Sequence, residues 1–549
     1  MCMSIITEVK YFLKKKSFII PLVVVLLLSF GFAITHIAQG IDDLCRARYV
    51  ENGTYIGYNR LFGWLVMVLL GPNGHETPLQ AAIGVLFLGL GAILACVLFR
   101  RASRDQLPLA CYTVFACLFV SCPLNMAIWV YGDTGFMVKL SYALVPLSLL
   151  CLDRFFSCKK TIPLLLSLIF VMLPIGMFES AAAVFVFYVG AYLTLGEFYE
   201  PSAREGTIKL RLPNLLYRGL VCAGILLFAI VLNSLLTRSV IALFSIPKIN
   251  QITQSVGWTS GRFTFWGNVV HLIEKILVHH VIAGFFYLPL GLILLGWLIS
   301  LSLFGLALYK KKPLAFLSVL VMCLSPLLIM VARANFSNYR TCQAAAPFIA
   351  FMLTVPAFAA LRLKKKPWIG HASIALLLCF SLLQAYSMDQ LFRADYVRYQ
   401  AEVEVIEDVY AQLKSTSAFL GKPVCFLDTQ HTSPLRHSDI VKHMPQPKFL
   451  GYSEIDRSHW LYNKLHGRIH FLPSEILLQE LPTPSIGWAC RAFGEYFHFL
   501  DYLELSGLTP VSRDTYKTAK DYFWDSDLPI YPDPGYILET TDYIVIRLG

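Results

Sequence analysis

Eleven apolar stretches fill most of the first 387 residues, and they leave little choice of fold. They lie near 17–38, 79–99, 107–124, 138–152, 161–176, 181–197, 219–235, 281–308, 313–332, 342–360 and 368–387. A helix needs about 20 mostly apolar residues to cross a bilayer. A chain with this many such stretches is expected to fold as an α-helical polytopic membrane protein. The stretches near 138–152 and 161–176 are short, at the lower limit for crossing. Composition enters only to exclude alternatives. The chain is 56% apolar and 15% charged, against roughly 45–50% and about 25% for soluble domains. That rules out a soluble single domain, a disordered chain, a collagen and a disulfide scaffold.

The 549 residues carry a net charge of +11, which would suggest nucleic acid were it spread evenly. It is not. Residues 1–387 hold 31 Lys and Arg against 13 Asp and Glu, and residues 388–549 hold 15 against 22. The positive charge sits in six clusters: Lys10 with Lys14 to Lys16; Arg100, Arg101 and Arg104; Arg154, Lys159 and Lys160; Arg204, Lys209, Arg211 and Arg218; Lys310 to Lys312; and Arg362 with Lys364 to Lys366. They fall at the N-terminus and in every second loop, so the positive-inside rule puts the N-terminus in the cytoplasm. An odd number of spans then places residues 388–549 outside, as an acidic extracytoplasmic domain following a membrane body at 1–387. The partner implied by the basic loops is the bilayer, and no nucleic-acid partner is expected. The first apolar stretch has no convincing small-residue cleavage site and reads as an uncleaved span. Most cysteines lie inside apolar stretches, where Cys is a small hydrophobe. Cys425 and Cys490 fall in the exported part, where a disulfide between them is open.

Ionisable residues gather at the ends of spans on the outer face. The loop from about 39 to 78 begins with Asp42 and Asp43, followed by Arg46. Two adjacent carboxylates raise one another's pKa, which suits a proton acceptor. A solvated helix end, with one Asp capping and Arg46 pairing a turn later, explains them equally well. Tyr55 to Leu70 reads as a helix lying in the membrane interface, with Asn59 and Arg60 on one side and Leu61, Trp64, Leu65 and Val68 on the other. Asp133 and Lys139 start the fourth span, Glu179 sits between two spans with almost no loop to solvate it, and Arg333 and Arg340 bracket another outer segment. The outer loop near 236–280 adds Arg262 and the amphipathic segment from Asn268 to His280. Ionisable groups at membrane depth tend to face a cavity, so these residues together point to one polar site at the outer surface.

This layout is similar to that of membrane glycosyltransferases of GT-C type, which use lipid-phosphate sugars. More closely, the chain resembles the bacterial serotype-converting O-antigen glucosyltransferases. The stretches that carry the resemblance are Asp42-Asp43-Leu44 with Arg46, Tyr58-Asn59-Arg60-Leu61 with its apolar continuation, and Leu528-Pro529-Ile530-Tyr531-Pro532 with Gly535-Tyr536-Ile537 before a last strand at 543–548. The polar stretch expected before Arg60 is shorter here, which leaves the sugar open. The resemblance implies a polyprenyl-phosphate-linked hexose donor, glucose above all. It also implies an O-antigen or other envelope glycan acceptor, the outer face of a bacterial inner membrane, and a flippase and donor synthase as pathway partners. Asp42 or Asp43 would then be the catalytic base. Arg46, Arg60, Asp133, Lys139, Glu179, Arg262, Arg333 and Arg340 would bind phosphate or sugar. No cofactor is certain; a divalent cation bridging the acid pair to the phosphate is left open.

In the last part of the chain, 394–414 has helical periodicity and 422–428 and 541–548 read as strands, giving an α/β domain suited to acceptor docking. His431, His437 and His443 match no metal spacing and read as loop histidines. Two other functions compete. A transporter or flippase of lipid-linked glycan would want charges near the bilayer midplane and internal pseudo-symmetry, and the sequence offers neither. An O-antigen polymerase or ligase would carry its main polar loop late in the chain, whereas the acid pair lies in the first outer loop.

Overall fold

The apolar stretches wind into helices whose ends are fixed by local chemistry. The computed structural model describes residues 4–38, 46–71, 77–125, 132–199, 208–247, 258, 264–276, 298–299, 301–303, 305–306, 313–333, 342–361, 367–427, 507–523, 526–529 and 531–547. In the membrane body the helices are α1 Ile5–Lys14, α2 Lys16–Thr35, α3 Arg46–Glu51, α4 Thr54–Gly57, α5 Leu61–Leu70, α6 Pro78–Ala102, α7 Leu109–Val120 and α8 Gly132–Cys158. They continue with α9 Thr161–Met177, α10 Ala181–Tyr199, α11 Ile208–Phe244, α12 Phe265–Ile276, α13 Pro313–Leu324, α14 Leu328–Arg333, α15 Ala345–Leu361 and α16 Pro367–Leu413. Among the described residues, seven helices are long and apolar enough to cross a membrane, and α5, α7, α9 and α15 are shorter apolar helices. Three-quarters of the stretch near 281–308 lies outside the described residues.

Helix α6 shows how an end is set. Thr77 accepts from the Gln80 backbone while the Gln80 side chain accepts from Thr77, and Pro78 occupies the first turn. This reciprocal cap satisfies donors that have no partner inside the helix. At its other end Arg100 and Arg101 complement the helix dipole. Tight helix pairs use glycine. A β-carbon on Gly91 would come within 2.6 Å of the Tyr142 carbonyl oxygen on α8, and one on Gly190 within 2.9 Å of Ser318 and Met322 backbone atoms on α13. Small residues of this kind let backbones approach where lipid gives no hydrophobic drive. Hydroxyl pairs staple neighbouring helices further: Ser148 with Ser167 at 2.9 Å and Thr194 with Ser318 at 2.9 Å.

Three sequence expectations change. The fourth span, read as a short stretch at 138–152, is a 27-residue helix. Its first turns carry Lys139 and Ser141, which lower the hydropathy but are buried against other helices. Secondly, Tyr55 to Leu70 is not one helix: it breaks between α4 and α5 at Asn59, whose φ is +66°. Asn tolerates this left-handed conformation better than most residues, and the break takes Arg60 off any helix face. Thirdly, the last apolar stretch at 368–387 and the helical stretch at 394–414 are one element. Helix α16 runs unbroken for 47 residues, about 70 Å, because no Gly or Pro interrupts it after Gly370.

On the far end of α16 sits a small sheet of β1 Val424–Leu427, β2 Ile537–Glu539 and β3 Ile544–Arg547, in the order β1-β3-β2. β1 runs parallel to β3, with Val424 opposite Ile544, and β2 runs antiparallel to it. Val409 and Leu413 of α16 share a core with Val424, Phe426, Ile544 and Ile546, while α17 Arg513–Phe523 covers the other face through Ala519 and Phe523. Cys425 is buried in that second core, and burial pushes its thiol up to about 12. Residues 428–506, with Cys490 and the three loop histidines, lie outside the described residues.

Candidate active site

The bundle has two ionic ends. One gathers the basic loops. Arg101 donates to Glu8 of α1 at 2.7 Å and to Asp153 of α8 at 3.1 Å. Tyr192 of α10 donates to Asp153 at 2.7 Å and accepts from Arg218 of α11 at 2.9 Å. Arg100 stacks on Tyr11 at 4.0 Å and Lys159 on Tyr217 at 4.8 Å. Four of the six clusters thereby meet at one end, as their alternation along the chain requires. The candidate site lies at the other end, about 25 Å away by the rise between Gly84 and Arg101 on α6.

Glu179 is its centre. The α9–α10 turn holds it with Phe178 and Ser180, too short to carry it into open solvent. Arg60 donates to it through Nε at 3.2 Å and Nη2 at 3.0 Å. Arg333, the last residue of α14, donates at 2.8 Å through its own Nη2. The Arg60 guanidinium also lies over the Phe178 ring at 4.5 Å, a cation–π contact that flattens it against an apolar wall. Burial pushes the Glu179 carboxyl up, and the two guanidiniums more than offset that, holding it below the ordinary carboxylate value. The ionised form is the one present.

Several elements aim these groups. Arg60 is held at the α4–α5 break, where its backbone N–H donates to Tyr55 and its carbonyl accepts from Trp64. Trp64 in turn donates to the Val50 carbonyl at 3.0 Å, tying α5 to α3. Asn233, buried on α11, donates to the Asn59 carbonyl at 3.3 Å. Gly176 gives it room, since a β-carbon there would lie 2.4 Å from the Asn233 side-chain oxygen. Trp258 donates to the Val331 carbonyl at 2.9 Å, and Leu272 of the amphipathic α12 packs with Leu327 and Met330, so that loop buttresses the helix ending in Arg333. Lys139 is buried, its stem pressed where a β-carbon on Gly84 would meet Cδ at 2.9 Å.

Of the ten residues expected at the site, the structure brings Arg60, Glu179 and Arg333 into one cluster and buries Lys139 on α8. Arg46 opens α3 and Asp133 sits in the first turn of α8, but their side chains lie outside the described residues, as do Asp42, Asp43, Arg262 and Arg340 entirely. Among the described residues no group of three His, Cys, Asp or Glu is placed to hold a metal ion. Arg60 does not lie within a single helix from Tyr55 to Leu70; it follows the break at Asn59 and reaches Glu179. Sequence reading missed Asn233. Its signal was present, an amide inside the apolar run of α11, and polar groups at that depth have partners worth seeking.

Residues 31–356 match the family described as Glucosyl transferase GtrII. The chain belongs to that family. It is a glycosyltransferase of the membrane, and its acidic pair, Arg60, Glu179 and Arg333 all fall within the matched GtrII region. No curated protein matches it. Among solved structures, the oligosaccharyltransferase of Archaeoglobus fulgidus in its apo form is similar at 12% identity, with a TM-score of 0.38, over 76% of this chain and 63% of that one. The archaeal oligosaccharyltransferase AglB from the same organism, in complex with an inhibitory peptide and a dolichol-phosphate, is similar at 13% identity, with a TM-score of 0.36, over 71% and 59%. The chain thus spans about three-fifths of the length of those proteins, and nothing in the site assignment depends on the likeness.

Proposed function

We propose that this GtrII-family protein transfers glucose from a polyprenyl-phosphate donor to an O-antigen or other envelope glycan, with inversion, at the outer face of a bacterial inner membrane. The N-terminus and the basic network then face the cytoplasm, and 388–549 is the extracytoplasmic domain that docks the acceptor. The single observation that carries the reading is the pair of guanidiniums, Arg60 and Arg333, converging on one carboxylate at the end of the bundle opposite the basic loops. An arginine fork matches phosphate geometry, and two of them beside a membrane suit a lipid phosphate.

The chemistry balances. The acceptor hydroxyl attacks the anomeric carbon, the bond from that carbon to the phosphate oxygen breaks, and the oxygen keeps the electron pair. The hydroxyl proton passes to Asp42 or Asp43 as general base and from there to water. The leaving polyprenyl phosphate gains one negative charge, which arginines at 60 and 333 stabilise. A divalent cation between the acid pair and the phosphate would add to that stabilisation. The prenyl tail stays in lipid. The flippase that delivers the donor and the synthase that makes it are the partners this chemistry requires.

Purified protein should transfer hexose from synthetic polyprenyl-phosphate glucose to an envelope glycan, read as a mass increase of one hexose. Movement of the lipid across vesicles without transfer would instead make it a flippase; transfer of a whole glycan from a glycan-lipid would make it a polymerase or ligase.

A further inference from the structure

Glu179 has no task in the scheme above, yet it occupies the space between the two arginines. Resting on the phosphate reading of that site, we infer that Glu179 is a specificity residue that keeps the clamp from retaining its product: its fixed negative charge favours the phosphodiester donor over the phosphomonoester that transfer leaves behind.

The argument starts from the charges of the two ligands. The donor's phosphate, linked on both sides, carries one negative charge. The product's monoester has a second pKa near 6, so it carries about −1.5 to −2 at neutral pH. Any cationic site therefore prefers the product, and the better it stabilises the developing charge the more slowly it releases it. A carboxylate across the guanidiniums opposes this, because it repels two charges about twice as strongly as one. The conclusion does not depend on which other charges line the site, since each adds the same constant with or without Glu179. The geometry suits the role. Arg60 binds Glu179 through Nε and one Nη, and Arg333 through one Nη, so each planar fork keeps further N–H donors for a phosphate. Two hydrogen bonds and a guanidinium would separate the carboxylate from that phosphate by roughly 7 Å. With partial solvent screening, one unit charge at that distance changes an affinity on the order of tenfold.

The test compares binding of one short-chain lipid in two forms, its glucosyl phosphodiester and its free monophosphate, to protein in nanodiscs above pH 7. Glu179→Gln keeps the shape and removes the charge; it should tighten the monophosphate about tenfold relative to the diester and make turnover release-limited, with a product burst. Glu179→Asp keeps the charge and should keep the wild-type ratio. If Glu179→Gln shifts both ligands equally, Glu179 only positions the arginines and the inference is overturned, while the phosphate reading stands. If Arg60→Ala and Arg333→Ala leave binding of both ligands unchanged, the phosphate reading itself fails.

Discussion

The two ionic ends of the bundle are built from the same residue types and differ in balance. At the basic end Arg101 is shared by two acids, Glu8 and Asp153, and Asp153 is further held by Tyr192, which Arg218 backs. At the opposite end the ratio is reversed: two arginines share Glu179. The first arrangement joins α1, α6, α8, α10 and α11 and has its charges matched within the protein. The second sets two guanidiniums against a single carboxylate. Matched charges lock helices together; an excess of one sign beside the bilayer receives a ligand of the other. In the proposed function the same side chain, arginine, is therefore structural at one end and binds substrate at the other.

The largest effect expected is at the acid pair, Asp42 and Asp43, proposed as general base. Replacing both Asp42 and Asp43 by Asn should lower transfer by about 10²–10⁴-fold, the usual contribution of a general base, with expression and membrane insertion unchanged. Full activity in the double variant would remove these residues from the mechanism.

Next in size is the exchange of roles between the ends. Arg60→Ala or Arg333→Ala should cost on the order of 10- to 100-fold in turnover, since charged hydrogen bonds contribute about 1.5–3 kcal/mol each and 1.36 kcal/mol is tenfold in rate. Lys should rescue only in part, lacking the planar fork. Arg101→Ala should do the opposite. It strands two acids whose side chains are only 10% and 17% exposed, at a cost of about 3–5 kcal/mol, read as a lower Tm and poor recovery. The protein that survives should turn over normally. A loss of kcat at fixed stability in Arg101→Ala would erase the distinction between the ends.

The same comparison shows what a sequence exposes. The spans and the final strands at 424–427 and 544–547 are legible because apolar periodicity is local, and the basic clusters reveal their common end because alternation is counted along the chain. Glu179 is legible as a carboxylate without a loop to solvate it. Its partners are not, since Arg60 and Arg333 lie 119 and 154 residues away and only the packing of α5, α9 and α14 decides that they meet. The break at Asn59 escapes periodicity because the apolar pattern on both sides suits one continuous helix. Asp42 and Asp43 rest on sequence alone.

A smaller effect concerns pH. The carboxyl of Glu179 is held below its ordinary value despite burial, because Arg60 and Arg333 favour the ionised form. A group depressed in the folded state stabilises above its unfolded pKa, about 4.3 for Glu, and loses that contribution as pH falls through the lower folded value. Donor binding should therefore be flat from pH 8 to pH 5 and tighten only in stronger acid, where protonation of Glu179 removes a charge that repels the phosphate. A midpoint near pH 6 would mean that Glu179 is protonated in use and that the Arg60–Glu179–Arg333 cluster then carries a full extra positive charge.

The smallest effect tests how finely the outer end is aimed. Asn59 sits at φ +66°, where a β-carbon costs roughly 1–2 kcal/mol in most residues and glycine is unstrained. Its carbonyl accepts from Asn233, so the break is both permitted by the residue and held by a partner in α11. Asn59→Gly keeps the carbonyl and the conformation, and should leave the donor KM within about twofold. Asn59→Val adds branching where the backbone is left-handed, and Asn233→Leu removes the hydrogen bond, worth about 0.5–1.5 kcal/mol. Each should raise the donor KM by roughly three- to tenfold by letting Arg60 swing from Glu179, with kcat changed less because Arg333 still reaches the phosphate. Combined, the two should cost less than the sum of their separate effects, since both act on one tether. Strict additivity would show that Asn233 serves α9 through Gly176 rather than the arginine, and the outer end would then depend on Glu179 alone to hold Arg60 in place.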